Sequence, residues 1–243
     1  MVYILISASS DIGLETAKIL KSEGKEIYIT ARGEEKLLEL KSQLKCDGEV
    51  LEATDFNSVE VTFKNASEKF GEVKGAACFA GSLALKPAHL VGFDEYIQTI
   101  HSSLTTSFAT TRAAGKYMKN GGSVVLISSA AAMQGIANHE AIAAAKGGVV
   151  SLAKSAAATY ASQNLRFNVV APGLTETKLT QKITSNKMSL KFSKAMHALS
   201  RISTAQEVAN AVAFLLNENN SFITGQILAV DGGLSNLQPK QKA

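Results

Sequence analysis

Short apolar runs alternate with segments of helical pattern along most of the chain. Seven of the runs are expected to be strands, at residues 2–6, 27–31, 50–54, 73–79, 124–127, 166–170 and 227–230. Several are continuously apolar, which is typical of strands that are buried on both faces of a sheet. Strands that alternate with helices predict βαβ units joined into a parallel sheet. We therefore predict an α/β fold, a doubly wound parallel sheet of about seven strands with helices on both faces.

Length and composition predict a single globular domain over residues 1–243. The chain has 243 residues, of which 46% are hydrophobic and 19% charged, and no internal segment has the composition of a linker. Residues 174–204 lack a regular pattern, whereas residues from about 236 onward are expected to form a loose tail. Cys46 and Cys78 lie in unrelated segments, so we expect them to be reduced.

Several partners and locations are not expected. No apolar run approaches the ~20 residues that a membrane helix needs, so we predict no membrane association. The N-terminus enters an apolar run at Val2 without a basic leader, which favours a cytoplasmic protein. The net charge of +4 is mild and no basic block is interleaved with aromatic residues, so no nucleic-acid partner is predicted.

The segment from Val124 to Lys146 carries the residues that could perform chemistry. Its strand ends in Ser128 and Ser129, and the alanine-rich helix that follows carries Lys146. An open α/β sheet places its reactive groups at such strand ends. The segment resembles the Ser…Tyr-x-x-x-Lys region of the short-chain dehydrogenase/reductase family, where serine lies thirteen positions before tyrosine and lysine four after it. Counting from Ser129 and from Lys146 reaches Ile142, so serine and lysine are present and tyrosine is absent.

The resemblance spans nearly the whole chain and implies a Rossmann-type domain. Pro172-Gly173 followed by Thr177 resembles the family segment that closes over the nicotinamide carboxamide. Ala80-Gly81 matches the end of the family's Asn-Asn-Ala-Gly, of which both asparagines are lost. The resemblance therefore implies a nicotinamide dinucleotide cofactor that contacts these positions.

The turn after the first strand departs from the family pattern. A dinucleotide's pyrophosphate would lie there, on the free N–H groups of a helix N-terminus. The family sequence Thr-Gly-x-x-x-Gly-Ile-Gly aligns with residues 6–13, and only Gly13 remains of the three glycines; the resemblance assigns Ser9, Ile12 and Gly13 to the cofactor. Ser7 adds bulk where the pyrophosphate needs clearance. Asp11 adds a negative charge, and its repulsion of the pyrophosphate at ~4 Å could reach about 4 kcal/mol at an effective dielectric near 20. Alternatively, Asp11 simply caps the helix.

Other positions favour NADP(H) over NAD(H). Arg32 follows the second strand, where the family places a basic side chain against the 2′-phosphate of NADP, and Ala31 stands where an aspartate would select NAD. The alternative for Arg32 is a solvated charge at a strand end. Asp55 matches the family's aspartate beside the adenine, and Lys146 matches the lysine that holds the nicotinamide ribose.

In the family, the tyrosine is the general acid or base, and the lysine lowers its pKa from about 10. The serine orients the substrate oxygen, and an asparagine that helps to hold a water relay corresponds to Ser103. Ile142 cannot transfer a proton, so the usual tyrosine mechanism is excluded. His139 would share a helix face with Ile142 and Lys146 on a continuous helix, at the offset that the enoyl-reductase branch gives its tyrosine. It is either a substitute acid or a plain loop or cap residue. His139-Glu140 also begins like a zinc-protease motif, but Ala143 stands where the second histidine would be, so no metal site is predicted.

The surface of the chain leaves further alternatives open. Residues 174–204 form either a mobile lid for an acidic or carrier-bound substrate or a solvated amphipathic cover; their lysines are Lys178, Lys182, Lys187, Lys191 and Lys194. Helices at 103–118 and 141–161 are rich in Ala, Ser and Thr and resemble the family's dimerising pair, which predicts a homodimer or homotetramer.

Three functions are compatible with these residues. The first is an NADP(H)-linked oxidoreductase acting on a carbonyl or alcohol through an atypical active site. The second is a catalytically inactive relative that serves as a nucleotide sensor or partner-binding protein. The third is a small-molecule binder whose pocket holds no dinucleotide.

Overall fold

A seven-stranded, fully parallel sheet forms the centre of the computed structural model, which describes residues 1–238. The strands of the described part, in chain order, are β1 (Val2–Ile6), β2 (Glu26–Ala31), β3 (Asp47–Val50), β4 (Val73–Cys78), β5 (Gly122–Ile127), β6 (Leu165–Pro172), β7 (Thr175–Glu176), β8 (Ser203–Thr204) and β9 (Ile227–Val230). The sheet order is β3-β2-β1-β4-β5-β6-β9, and β7 pairs separately with β8. Most of the predicted tail lies outside the described residues.

Helices cover both faces of the sheet, so the predicted fold is confirmed. The helices of residues 1–238 are α1 (Asp11–Ser22), α2 (Glu34–Leu44), α3 (Phe56–Phe70), α4 (Phe93–Ile100), α5 (Thr106–Tyr117), α6 (Glu140–Tyr160), α7 (Gln181–Thr184), α8 (Lys187–Met196) and α9 (Ala205–Leu216). Side chains of β1 alternate between two buried cores. Ile4 packs on the face covered by α3, α5 and α6, whereas Leu5 packs on the face covered by α1, α2 and α9.

Two elements differ from the sequence prediction by more than one or two residues at an end. The third strand occupies Asp47–Val50 rather than 50–54. It is an edge strand whose first three residues are partly exposed, and two of them are charged, so no apolar run marks it. The helix predicted over 93–118 is interrupted by a π-helical turn at His101–Thr105. No helix within the described 238 residues combines the length and apolarity needed to cross a bilayer.

The sheet topology creates one crevice at the carboxyl ends of the strands. β1 lies between β2 and β4, so the chain winds outward in opposite directions from this point. Open α/β sheets bind their ligands at such a switch point. The loops after β1, β4, β5 and β6 all open onto it.

Candidate active site

A cavity of about 950 Å³ occupies this crevice beneath the segment between β6 and α9. It brings together ten of the predicted site residues, namely Ser9, Ile12, Ala80, Gly81, Ser129, His139, Lys146, Pro172, Gly173 and Thr177. Gly13, Arg32 and Asp55 are not among the residues that line it. The cavity thus extends from the turn after β1 to the residues that could perform chemistry on β5 and α6.

Lys146 reaches the cavity wall from the second turn of α6. Its Nζ donates to the carbonyl oxygen of Ile127 at 2.8 Å, and the residue is only 6% exposed. Burial lowers the pKa of Lys146 from its ordinary value to about 8, an effect that the nearby Cys78 thiol opposes. A Cβ atom at Gly81 would lie 3.4 Å from Nζ, so the loop after β4 packs directly against the amine.

The two serines after β5 have separate roles. Ser128 is buried, and its Oγ donates to the carbonyl oxygen of Lys146 at 2.8 Å, which fixes α6 against the strand end. Ser129 lines the cavity, and its Oγ accepts from the Ala131 N–H at 3.2 Å. A hydroxyl that accepts one hydrogen bond still has its own proton to donate. Ser129 can therefore donate to an oxygen bound in the cavity.

His139 lies directly before α6 rather than within it, as in the loop or cap alternative, so it does not share a continuous helix face with Ile142 and Lys146. Its backbone is not helical (φ −114°, ψ 13°), and α6 begins at Glu140. The Nδ1 atom lies 2.7 Å from the carbonyl oxygen of Ala137 and must carry a proton, because a carbonyl only accepts. His139 still lines the same cavity as Ile142 and Lys146, and its Nε2 is available to a ligand.

Ser103 lies in the π-helical turn and is fully buried. Among the described residues, its Oγ has no hydrogen-bond partner, and its carbonyl oxygen accepts from the Ser107 hydroxyl at 2.7 Å. π-helical turns inside α-helices are frequent at functional sites, and an unpartnered buried hydroxyl calls for a water or ligand group. Sequence reasoning missed this turn, because serine and threonine are compatible with an ordinary helix.

The turn after β1 has the backbone of a phosphate loop but different side chains. Ser7 adopts a left-handed conformation (φ 59°), which favours glycine. A Cβ atom at Gly13 would lie 2.9 Å from the Ala8 Cα, so only glycine permits this close packing. Ser10, not Asp11, caps α1 by accepting from the Gly13 N–H at 3.0 Å, so the expected capping role of Asp11 is wrong.

Asp11 instead joins the phosphate loop to the segment that covers the cavity. Its Oδ2 accepts from the Lys178 N–H at 2.7 Å, and both residues line the cavity. One carboxylate therefore lies at the N-terminus of α1, where a helix otherwise offers its N–H groups to an anion.

The cover of the cavity is apolar inside and basic outside. Met188 and Phe192 lie one turn apart on α8, line the cavity and are 79% and 69% exposed, because the cavity is open. Other apolar lining residues are Leu83, Leu85, Ile136, Ile142, Leu179, Ile183, Met196 and Leu234. Lys182, Lys187, Lys191 and Lys194 are exposed and do not line it. The larger side chains that this cover presents to the cavity are thus mostly apolar, with threonine, serine and histidine residues between them. Lys178 is the one lysine of the cover that lines the cavity.

Comparison with known proteins places this arrangement in a family. A family model described as enoyl-(acyl carrier protein) reductase matches residues 6–235. The chain is 32% identical to short-chain dehydrogenase/reductase aba4 of Botryotinia fuckeliana, with 96% of this chain and 95% of that protein covered. The chain belongs to the short-chain dehydrogenase/reductase family. It is also 32% identical to the 3-oxoacyl-(acyl-carrier-protein) reductase FabG of Salmonella typhimurium, over 95% of this chain and 96% of that one.

A solved structure of an actinorhodin polyketide ketoreductase variant with NADPH has the same fold. It superposes with a TM-score of 0.89 at 27% identity, covering 97% of each chain. Membership in the short-chain dehydrogenase/reductase family, whose members are oxidoreductases, makes the cavity the candidate active site. At Ile142, one helical turn before Lys146, the structure places a side chain that is 3% exposed and forms part of the cavity wall.

The adenine end of a dinucleotide would contact residues outside the cavity. Arg32 is exposed directly after β2 and forms no ion pair within residues 1–238. Asp55 caps α3: its Oδ1 accepts from the Asn57 N–H, and its Oδ2 from the Ser58 hydroxyl. These hydrogen bonds lower the pKa of Asp55, the Ser58 hydroxyl having the largest effect. Both residues remain predicted cofactor contacts.

His197 is a site residue that the sequence analysis missed. It is buried at the end of α8, its Nε2 accepts from the Leu174 N–H at 3.2 Å, and its Nδ1 donates to the Ser193 carbonyl oxygen. A Cβ atom at Gly173 would lie 2.6 Å from Nε2, so the glycine is required by the ring. His197 thus fixes the end of the cover against the loop after β6. A lone histidine in a lysine-rich segment gave no signal of this role.

Proposed function

We propose that this chain is an NADP(H)-linked oxidoreductase that acts on an apolar carbonyl compound or alcohol through an atypical active site. The observation that carries the proposal is the continuous cavity that connects the turn after β1 with Ser129 and Lys146. The residues fit a nicotinamide dinucleotide except at Asp11, whose carboxylate opposes the phosphates. The Lys178 N–H donates to that carboxylate, which partly offsets its charge.

Each part of the cofactor has residues that could hold it. The N–H groups near Ser9 and Ile12 would bind the pyrophosphate, Gly13 would allow its close approach although its own N–H is donated to Ser10, and Arg32 would bind the 2′-phosphate. Asp55 would lie beside the adenine, and Lys146 would hold the ribose. The remaining predicted contacts, around the nicotinamide, are Ala80, Gly81, Pro172, Gly173 and Thr177. When bound, this cofactor supplies hydride transfer.

The substrate class follows from the cavity wall. An apolar ligand that covers Phe192 and Met188 would remove two largely exposed side chains from water. Full burial of such side chains contributes about 1.5–3 kcal/mol each, which favours a substrate with an aliphatic or aromatic body. Ser129 would donate to its carbonyl oxygen. This supports the interpretation of residues 174–204 as an amphipathic cover.

Proton transfer is the weak step of the proposed reaction. Ile142 lies where the family has its tyrosine, and its side chain carries no proton to transfer. Loss of a general acid typically slows a reaction 10²–10⁴-fold without abolishing it. His139 is the proposed substitute, because a doubly protonated ring would present Nε2–H to the cavity while Nδ1 stays bound to Ala137.

The second candidate is a catalytically inactive nucleotide sensor, which Ile142 favours. Titration with NADPH, followed by its fluorescence, and turnover assays on apolar ketones and alcohols separate the two. Binding with measurable turnover supports the oxidoreductase, and a His139→Ala variant without turnover identifies the acid. Binding without turnover supports the sensor, and absence of binding refutes both. Arg32→Ala is expected to weaken NADP(H) binding while NAD(H) binding is unchanged.

Self-association is also proposed. Phe108 is 45% exposed on α5, one of the two helices expected to form the dimer, and Phe93 is 76% exposed on the preceding α4. An interface would remove this apolar surface from water. Light scattering after size-exclusion chromatography is expected to give a dimer or tetramer; a monomer at micromolar concentration would refute the proposal.

A further inference from the structure

Lys146 is a desolvated amine at the wall of an apolar cavity. Within residues 1–238, its Nζ has one hydrogen-bond partner, the Ile127 carbonyl oxygen, and no carboxylate within ion-pair distance. On α6 its neighbour one turn back is Ile142. In the family mechanism this lysine acts on a tyrosine, and here no phenol is present for it to act on.

These surroundings make the neutral amine more abundant at Lys146 than at an ordinary, solvent-exposed lysine. One N–H of a neutral amine satisfies the Ile127 carbonyl and leaves the nitrogen lone pair free, whereas an ammonium would have two more protons without a protein acceptor. With a pKa of about 8, the neutral fraction near pH 7 is about 200-fold larger than for an ordinary lysine of pKa about 10.4. A lysine desolvated in a hydrophobic pocket is a nucleophile towards carbonyl compounds.

We propose that Lys146 forms a reversible imine with an apolar aldehyde or ketone bound in this cavity. The amine nitrogen adds to the carbonyl carbon as the C=O π bond breaks, and one of the two amine protons is transferred to the former carbonyl oxygen. The resulting carbinolamine loses that oxygen as water together with the second amine proton, which leaves a C=N bond and consumes no oxidant or reductant. Ser129 lines the same cavity and can donate a hydrogen bond to the carbonyl oxygen during addition. This activity goes beyond the proposed oxidoreductase and requires no dinucleotide.

Reductive trapping tests the proposal on the intact chain. Wild-type protein is incubated near pH 7 with octanal and sodium cyanoborohydride, which delivers hydride to the imine carbon and makes the adduct permanent. Peptide mass spectrometry then compares Lys146 with Lys154, an exposed lysine two turns further along α6. We expect labelling of Lys146 to be about tenfold faster or more. Equal or faster labelling of Lys154 would overturn the proposal.

Control variants and a second aldehyde test whether the labelling is specific to Lys146 and to apolar carbonyl compounds. Lys146→Arg is expected to remove the fast adduct, whereas Lys154→Arg leaves it unchanged. Glyceraldehyde, which is polar, is expected to label Lys146 at least about tenfold more slowly than octanal while the two aldehydes label Lys154 at similar rates. Comparable labelling of Lys146 by both would refute the apolar ligand class. Because the wild-type comparison needs neither NADPH nor turnover, its outcome is independent of the oxidoreductase assay.

Discussion

Replacing Ile142 with tyrosine tests whether the missing proton donor limits this active site. The new phenol would lie one helical turn before Lys146, where the family places its general acid. Ile142 is 3% exposed but forms part of the wall of a cavity of about 950 Å³, so the larger ring has space on the cavity side. The stability cost of the larger side chain is expected to stay within about 1–3 kcal/mol.

The expected gain in turnover follows from the value of a general acid. A positioned acid contributes about 10²–10⁴-fold, which corresponds to roughly 2.7–5.5 kcal/mol of activation free energy. The cationic form of Lys146 would lower the pKa of the nearby phenol and so favour proton transfer. Because the pKa of Lys146 is lowered by burial to about 8, the cation predominates below that pH. The gain is therefore expected to decrease as pH rises through about 8.

The assay is loss of NADPH absorbance with an apolar ketone at saturating NADPH. Ile142→Phe is the matched control, since it adds the same ring without the hydroxyl. We expect Ile142→Tyr to turn over about a hundredfold or more faster than Ile142→Phe. If both variants bind NADPH and turn over at the same rate, the missing hydroxyl is not what limits the reaction, and the reasoning is refuted.

Three further variants test individual features. Asp11→Asn keeps an oxygen for the Lys178 N–H but removes the charge, so NADPH is expected to bind about tenfold more tightly, measured by fluorescence with Glu15→Gln as control. Lys146→Met removes a group whose folded pKa of about 8 lies below its unfolded value. The stability of the wild type relative to this variant is therefore expected to rise by about 3 kcal/mol from pH 7 to pH 10.5, measured by urea unfolding. A difference in stability that does not change with pH would contradict this. Ser7→Gly relieves a left-handed backbone and is expected to stabilise the fold by about 0.5–1 kcal/mol, whereas Ser7→Ala should not.

The architecture could be predicted because the strands of a doubly wound sheet are buried on both faces. The predicted runs matched β1 and β9 to the residue, and β2, β4, β5 and β6 within two residues at each end, although Lys74 interrupts one run and Arg166 and Asn168 another. Where burial was incomplete the signal failed, as at β3, whose charged Asp47 and Glu49 resemble a loop. Strands that are buried in the core could therefore be predicted from the sequence, whereas the edge strand could not.

The sequence could place those site residues whose identity and spacing match the family pattern. Lys146 and Ser129 could be placed from their spacing, and both line the cavity. The cap of α1 could not, because Ser10 and Asp11 are equally good capping residues and only the tertiary contact to Lys178 distinguishes them. His197 depends on a contact between elements distant in sequence, which no local pattern records, and the π-helical turn that contains Ser103 has no sequence pattern of its own.

Asp11 and Ile142, two of the departures from the family pattern, act on different quantities. Asp11 lies on α1 at the phosphate end of the proposed cofactor site, where its charge is expected to change the free energy of cofactor binding but not the chemistry at the reacting atoms. Ile142 lies on α6 beside Lys146, where an aliphatic side chain cannot transfer a proton. This replacement does not change the phosphate loop. Neutralising Asp11 should therefore change the Kd for NADPH without raising kcat, and Ile142→Tyr should raise kcat without tightening NADPH. Cofactor binding and turnover are thus separable in this chain, and a measurement of one does not predict the other.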